Sequence, residues 1–334
     1  MTLLRVAFAF VPVSLFLWSL LYIDSYKLVG VHRLLNVMAS GFAAALASYV
    51  INKRILDGVI VDHNTLTHIV APAVEEALKL TPVLFLLRTR RIGFVIDAAI
   101  CGFATGAGFA LIENLYYMAV LSPRDIAFWI VRGFGTAVMH GGTTAMAAMI
   151  TQAIFQRRES EKLVYALPGF VVAFVTHSIF NSFILSPLAS ALVVTLILPP
   201  LLVLVFAQSE RYVQAWLGSG FDVDSDLLQA IRSNDFITTR SGRYLQSLRD
   251  HFAGAVVADM LCYLRLSAEL SLRAKGVLML RENGLPVTRD VETAEKLAEL
   301  KYLKSAIGRT GQLALAPILQ RSSHDLWQLR VLDA

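Results

Sequence analysis

Apolar residues are concentrated in seven long runs within the first 207 positions of the chain. A helix that crosses a bilayer needs roughly 20 predominantly apolar residues, and each run approaches or exceeds that length. The runs lie at about 3–23, 33–51, 66–87, 92–120, 126–155, 163–185 and 189–207. The pattern therefore predicts an all-α fold in which about seven transmembrane helices form a polytopic membrane bundle.

Residues 208–334 have a different pattern. Apolar residues recur there at intervals of three and four over 222–231, 243–281 and 288–307, which is typical of amphipathic helices around a soluble core. The turn-forming sequence Asn283-Gly284-Leu285-Pro286 separates the last two helices. We therefore expect two domains, a transmembrane domain over 1–207 and a soluble helical domain over 208–334.

The distribution of charge follows the same division. Residues 1–207 contain 14 Lys and Arg with 10 Asp and Glu, whereas the much shorter segment 208–334 contains 16 and 15. Only 16% of the whole chain is charged and 56% is hydrophobic, while soluble proteins contain about 25% charged residues. This composition excludes an ordinary soluble enzyme and predicts a multi-pass protein of the cell membrane, in contact with lipid.

Basic residues between the apolar runs indicate the orientation of the chain. Nine of them fall on one side of the predicted membrane, namely Lys27, Arg33, Arg88, Arg90, Arg91, Arg157, Arg158, Lys162 and Arg211, and four on the other, namely Arg5, Lys53, Arg54 and Arg124. Because cytoplasmic loops are enriched in Lys and Arg, this asymmetry places the C-terminus in the cytoplasm. In 208–334 basic and acidic residues are interleaved, which is typical of a solvated helix face, so we expect no nucleic acid as a partner. A cytoplasmic protein could bind this part of the chain.

Two adjacent glutamates interrupt the third apolar run. Glu75 and Glu76 are followed by Lys79, which lies four and three residues further on and so shares a helix face with both. A charge at the centre of a membrane helix costs at least about 2.5 kcal/mol, and such residues usually face a cavity or the bundle interior, where they have a function. The pair is therefore a candidate for acid–base catalysis or for a proton relay.

Polar residues on three other runs lie at a similar depth. At 1.5 Å per residue, Glu76 is about 18 Å from the cytoplasmic end of its run and Glu113 about 14 Å from the outer end of its own. His140 and His177 are each about 21 Å from the start of their runs. These four residues are therefore expected near the middle of the membrane, where their helices can bring them together.

Some of these residues also have structural interpretations. An ion pair with Arg132 on the next run would account for Glu113, and Lys79 would serve as a counter-ion. Asn114 could cap, pack or orient a substrate, while Asn181 lies one helical turn after the second candidate histidine and projects its amide toward the same place. We keep Lys79, Asn114 and Asn181 as supporting residues of the candidate site.

Taken in order, these residues resemble the motifs of a known family. Glu75-Glu76-Ala77-Leu78-Lys79 is similar to the EExxK motif of the PrsW proteases, which are distant relatives of the CAAX-processing endopeptidases. The sequence from Phe109 to Glu113-Asn114 is similar to the FxxxEN motif of the same family. His140 and His177 lie on later helices, where that family has its histidines, and the resemblance covers roughly residues 30–205.

The resemblance implies an intramembrane endopeptidase that hydrolyses peptide bonds of single-pass or otherwise membrane-tethered proteins. In characterised relatives the substrate is an anti-sigma factor, which is cut at a first, extracytoplasmic site during signalling. Residues 208–334 lie outside the resemblance. We expect them to regulate the protease, recruit substrate or mediate assembly.

Peptide hydrolysis needs a base that activates water and donors that stabilise the oxyanion. In a glutamate-based reaction, which we prefer, Glu76 or Glu75 takes the proton of the water, and Glu76 is the leading candidate. His140, His177 and Asn181 then hold the water or the oxyanion. This chemistry requires no cofactor.

A zinc-dependent reaction is the second chemistry that the residues allow. Glu76, Glu113, His140 and His177 would supply the ligands and leave one position open, although the HExxH spacing of common zinc proteases is absent. The glutamate-based reaction is preferred because Lys79 puts a cation where the metal would lie.

A proton-coupled transporter or channel is the alternative from a different class of protein, since glutamates and histidines in the middle of a membrane can also relay protons. The sequence contains no internal repeat of the kind that transporters often carry. The protease interpretation is therefore favoured.

Overall fold

The computed structural model describes residues 2–58, 62–121, 125–158, 160–287, 290–319 and 327–332. Every regular element in these residues is a helix, which confirms the all-α prediction. The chain divides into two compact units, Met1–Glu210 and Arg211–Ala334. All the candidate site residues belong to the first unit.

The first unit is a bundle of helices with two π-helical interruptions. Its helices are α1 (Thr2–Ile23), α2 (Val31–Gly58), α3 (His63–Thr65), α4 (Ala71–Arg88), α5 (Val95–Val120), α6 (Ile126–Ile130), α7 (Val138–Arg158), α8 (Leu167–Asn181) and the first part of α9 (Pro187–Arg232). The π-helical segment Leu66–Val70 joins α3 to α4, and Val131–Ala137 joins α6 to α7. A 3₁₀ turn, Leu163–Ala166, precedes α8.

Helix α5 is the centre of the first unit. It packs along α7 and α2 and also contacts α1 and α4, and its residues from Ile96 to Ala110 are all buried. Glycine makes this close packing possible. A Cβ atom on Gly106 would lie 2.1 Å from the carbonyl oxygen of His140, and one on Gly108 would lie 2.3 Å from that of Met38. The small residues thus let α5 approach α7 and α2 at backbone distance, as in other membrane bundles.

Within the described residues, five helices are long and apolar enough to cross a membrane. They are Leu3–Ile23, Val31–Gly58, Val95–Val120, Leu163–Asn181 and Pro187–Arg232. The two other predicted spans, 66–87 and 126–155, are each interrupted by a π-helical segment and carry charged or polar candidate residues, which lower their hydropathy. Several membrane-spanning helices are therefore supported, and the count of seven stays a prediction.

The helix of the seventh run extends beyond the predicted span of 189–207. Helix α9 continues to Arg232, so the helix predicted over 222–231 is its last part and not a separate element. The sequence contains no proline between Pro200 and Arg232 that would end this helix. Gly218 and Gly220 lie within the helix and do not end it, because a glycine in a helix costs only about 1 kcal/mol relative to alanine.

As far as the structure describes it, the second unit contains the end of α9 and four further α-helices around its own apolar core. These helices are α10 (Arg240–Ser247), α11 (Gly254–Glu282), α12 (Val291–Ala306) and α13 (Gly308–Leu319). Met260, Leu264, Leu270 and Leu315 are among the core residues with no exposed surface. The core shows that this unit is a helical bundle in its own right.

One helix predicted for the second unit is wrong. Instead of a single helix over 243–281, the chain ends α10 at Ser247, makes a 3₁₀ turn and begins α11 at Gly254. Apolar spacing continues across the turn, so periodicity does not reveal it. The predicted break after α11 is confirmed, since Gly284 adopts a φ of 66°, a left-handed conformation that favours glycine. The predicted helix over 288–307 corresponds to α12, and positions 288 and 289 lie outside the described residues.

Replacing Gly106 by alanine is expected to destabilise the first unit, because the new methyl group would collide with the backbone of His140. Overpacking of this kind typically costs about 1–3 kcal/mol, and cleavage activity should fall with it. Gly276→Ala is the matched control, since nothing lies within 4 Å of a Cβ atom there. Thermal unfolding in detergent micelles measures both, and a Gly106→Ala protein as stable as the control would contradict the prediction.

Candidate active site

Glu76 is the most enclosed carboxylate of the candidate site. Its side chain is 1% exposed, and its Oε1 atom accepts from Lys79 Nζ at 2.6 Å, His177 Nδ1 at 2.8 Å and Thr143 Oγ1 at 3.2 Å. Lys79 has no exposed surface. Removing one partner of a buried ion pair leaves an uncompensated charge, so Glu76 and Lys79 depend on each other and form a fixed charged centre.

His140 lies between Lys79 and Glu113. Its Nδ1 atom is 2.9 Å from Lys79 Nζ, and its Nε2 atom is 3.1 Å from Glu113 Oε2. A lysine ammonium only donates hydrogen bonds, so the Nδ1 atom must accept. The hydrogen-bond network therefore assigns the ring hydrogen of neutral His140 to Nε2, from which it is donated to Glu113.

His177 has the opposite arrangement. Its Nδ1 atom donates to Glu76, and its Nε2 atom is 3.9 Å from Glu75 Oε2. That distance is too long for a direct hydrogen bond. The unprotonated Nε2 atom of His177 and the carboxylate of Glu75 therefore face each other as two acceptors.

Glu113 and Asn114 are tied to Arg132, which lies in the π-helical segment Val131–Ala137. Arg132 Nη forms an ion pair with Glu113 Oε2 at 2.8 Å, and Arg132 Nε donates to Asn114 Oδ1 at 2.7 Å. Asn114 in turn donates to the carbonyl oxygen of Ala9 in α1 at 2.8 Å. The ion pair that was the structural interpretation of Glu113 is thus present, and Asn114 links α5 to α1.

Asn181, at the end of α8, borders the same region. Its Nδ2 atom donates to the carbonyl oxygen of Thr67 at 3.2 Å. Thr67 belongs to the π-helical segment Leu66–Val70. The amide thereby connects α8 to the segment that leads into α4, and it has a second hydrogen to donate.

The structure brings all the candidate residues into one region. Contacts connect Glu75, Glu76, Lys79, Glu113, His140 and His177, while Asn114 joins through Arg132 and Asn181 lies at the margin. Sequence reasoning missed Thr143. It lies one helical turn after His140, so i, i+3 spacing was the signal that could have found it.

A cavity of about 680 Å³ opens onto this network. Glu75, Glu113, His140 and His177 are among the residues that line it, together with Asn181. Residues of α2, including Tyr49, Asn52 and Lys53, also line it, as does Phe183. Glu76 and Lys79 are buried and are not among the residues that line the cavity. Of the two adjacent glutamates, Glu75 is therefore the one that a substrate in the cavity can reach.

A metal ion is the cofactor that the donor set suggests. One ligand atom each from Glu75, His140 and His177 can lie within 4.8 Å of the others, and three protein ligands with one open position are typical of catalytic zinc. The geometric group thus contains Glu75, and not the Glu76 and Glu113 of the sequence prediction. Hydrogen bonding fits zinc less well, because both ring nitrogens of His140 are engaged by Lys79 and Glu113.

Carboxylates and histidines around a cavity inside a bundle of apolar helices define an intramembrane enzyme. A family model described as PrsW family intramembrane metalloprotease matches residues 28–207, just over half of the chain. The chain belongs to this family and is a multi-pass membrane protein with intramembrane peptidase activity. No curated protein and no solved structure matches it. The family does not favour the transporter or channel alternative.

Replacing Lys79 by methionine is expected to lower stability by roughly 3–5 kcal/mol, because Glu76 would remain buried without its cation. The double variant Glu76→Gln, Lys79→Met leaves no uncompensated charge and should lose less stability than Lys79→Met alone. Thermal unfolding of both proteins in detergent checks this order. The reverse order would show that the two charges do not depend on each other.

Proposed function

We propose that the chain hydrolyses a peptide bond of a membrane-tethered protein in this cavity, with Glu75 as the base. The observation that carries the proposal is the difference between the adjacent glutamates. Glu76 is enclosed and already accepts three hydrogen bonds, whereas Glu75 lines the cavity. The leading role that sequence reasoning gave to Glu76 therefore passes to Glu75.

Charge supports the same assignment. Lys79 balances Glu76, and Arg132 balances Glu113. Within the described part of the chain, no lysine or arginine lies within salt-bridge distance of Glu75. The Glu75 carboxylate is therefore available to accept a proton from the water that attacks the peptide bond. Glu76 and Glu113 serve as hydrogen-bond partners of the two histidines.

In the proposed reaction a water lies between Glu75 and His177. The 3.9 Å between Glu75 Oε2 and His177 Nε2 suits a water that donates one hydrogen to each. Glu75 takes a proton as the water oxygen adds to the peptide carbonyl carbon, and later gives that proton to the leaving amine. The second amide hydrogen of Asn181 is available to the oxyanion.

A zinc-dependent version would use the same cavity. Glu75, His140 and His177 would hold the ion, and zinc, when bound, supplies a Lewis acid that acidifies water and polarises a carbonyl. His177 is suited to this role, since its other nitrogen donates to the Glu76 carboxylate, the usual arrangement behind a metal ligand. We prefer the glutamate-based version because the hydrogen on His140 Nε2 is committed to Glu113.

We further propose that 66–87 and 126–155 cross the membrane as well, which gives seven spans and a cytoplasmic C-terminus. The excess of basic residues on one side supports this orientation. The substrate class is a single-pass protein, as in the relatives that cleave anti-sigma factors. Residues 208–334 would then form a cytoplasmic domain that binds a protein partner or regulates cleavage.

Replacing Glu75 by glutamine should lower cleavage at least 100-fold, because an amide cannot take a proton from water. Purified protein is incubated in vesicles with single-pass membrane substrates, and fragments are counted by mass spectrometry. Glu161→Gln is the matched control, since Glu161 pairs with Arg90 outside the cavity. Proton flux without fragments would overturn the protease assignment.

Removing metal separates the two chemistries. Dialysis against a strong chelator should leave cleavage unchanged in the glutamate-based version, and elemental analysis should then find far less than one zinc per chain. Loss of activity that returns with added zinc would instead assign the metal to Glu75, His140 and His177. In that case His177→Ala should bind less zinc than the wild-type protein.

A further inference from the structure

Arg132 is a buried cation that the proposed reaction does not use directly. Its side chain is 10% exposed, and three neighbours on α5 hold it. Glu113 forms the ion pair, Asn114 accepts from its Nε atom, and its guanidinium carbon lies 4.1 Å from the centroid of the Tyr117 ring. Arginine stays protonated in proteins. One face of α5 therefore holds a permanent positive charge in a fixed position.

The π-helical segment Val131–Ala137 explains how Arg132 reaches the site. Eight residues of an α-helix make about 2.2 turns, so Arg132 and His140 would lie roughly 80° apart around a regular helix. The i to i+5 hydrogen bonds of the π-helix put more residues in each turn, which brings the eight residues closer to two full turns. Both side chains can then face α5, and both contact Glu113.

One atom connects the two residues. Glu113 Oε2 is 2.8 Å from Arg132 Nη and 3.1 Å from His140 Nε2. The position of this oxygen is set by Arg132, whose Nε atom is itself anchored by Asn114 and, through Asn114, by the backbone of α1. Arg132 thus acts on the His140 ring through Glu113, which contacts both residues. The orientation of the ring at the cavity wall depends on this indirect link.

We propose that Arg132 is a positioning residue for the intramembrane reaction. It holds Glu113 as the acceptor of the His140 Nε2 hydrogen, and it thereby keeps the His140 ring in the orientation that shapes the reactive end of the cavity. This inference rests on the proposed function. It differs from a purely structural ion pair, which would hold the helices together without affecting turnover.

A double-variant cycle in kinetics tests the inference. Arg132→Gln, Glu113→Gln and the combination of both are reconstituted in vesicles with a fluorogenic single-span substrate that the wild-type protein cleaves. A misplacement of about 1 Å at a reactive site can lower the rate on the order of 100-fold, so Arg132→Gln should lower kcat by about 10- to 100-fold and leave KM unchanged. Because Arg132 acts through Glu113, it should add little to Glu113→Gln.

Two further variants show whether the effect belongs to this position. Arg132→Lys keeps the charge and should recover part of kcat, although a single ammonium cannot replace the fork that contacts Glu113 and Asn114. Arg90→Gln is the matched control, because Arg90 also pairs with a glutamate but lies away from the cavity, and its kcat should equal that of the wild-type protein.

The outcomes separate this inference from the proposed function. Absence of Glu75-dependent cleavage by the wild-type protein would overturn the proposed function. Wild-type cleavage with an unchanged kcat in Arg132→Gln, or with fully additive effects of the two substitutions, would overturn the role of Arg132 alone. If Arg132→Gln does not fold, Arg132→Lys takes its place in the cycle. A loss of kcat in Arg132→Lys that disappears in the Glu113→Gln background supports the inference, and an unchanged kcat or a fully additive loss overturns it.

Discussion

The structure of the site depends on the need to pair the two cations that are enclosed in the membrane bundle, Lys79 and Arg132. Lys79 is fully buried and can exist there as a cation because Glu76 lies 2.6 Å away. The same pair contacts His177 on α8 and His140 on α7. A single ion pair on α4 therefore fixes the histidines of two other helices, and α5 adds a second pair through Glu113 and Arg132.

This pairing makes two neighbouring glutamates different. Successive residues of an α-helix point about 100° apart, so Glu75 and Glu76 cannot share one environment. Glu76 points into the protein and its charge is fully compensated, whereas Glu75 points to the cavity. Packing thus turns a repeated residue type into one enclosed carboxylate and one that lines the cavity.

Much of the site could be predicted from sequence, because isolated polar residues in long apolar runs are few and their depths can be compared. Glu113, His140 and His177 were found in this way. The different surroundings of Glu75 and Glu76 could not be predicted, since they depend on how α4 is rotated in the bundle. The contact that Arg132 and His140 share with Glu113 involves a π-helical segment, and apolar spacing in the sequence does not indicate where such a segment begins.

Helix α4, which carries Glu75 and Glu76, suits a membrane less by its composition than α5 and α8, which carry Glu113 and His177. Five helices of the described residues satisfy the length and hydropathy of a span on their own, but α4 alone would expose Glu76 and Lys79 to lipid. Charged groups in a bilayer are costly unless they are paired or face the bundle interior. The stability of α4 therefore depends on its contacts with α5, α7 and α8. The contacts that stabilise the bundle are thus the same ones that assemble the candidate site.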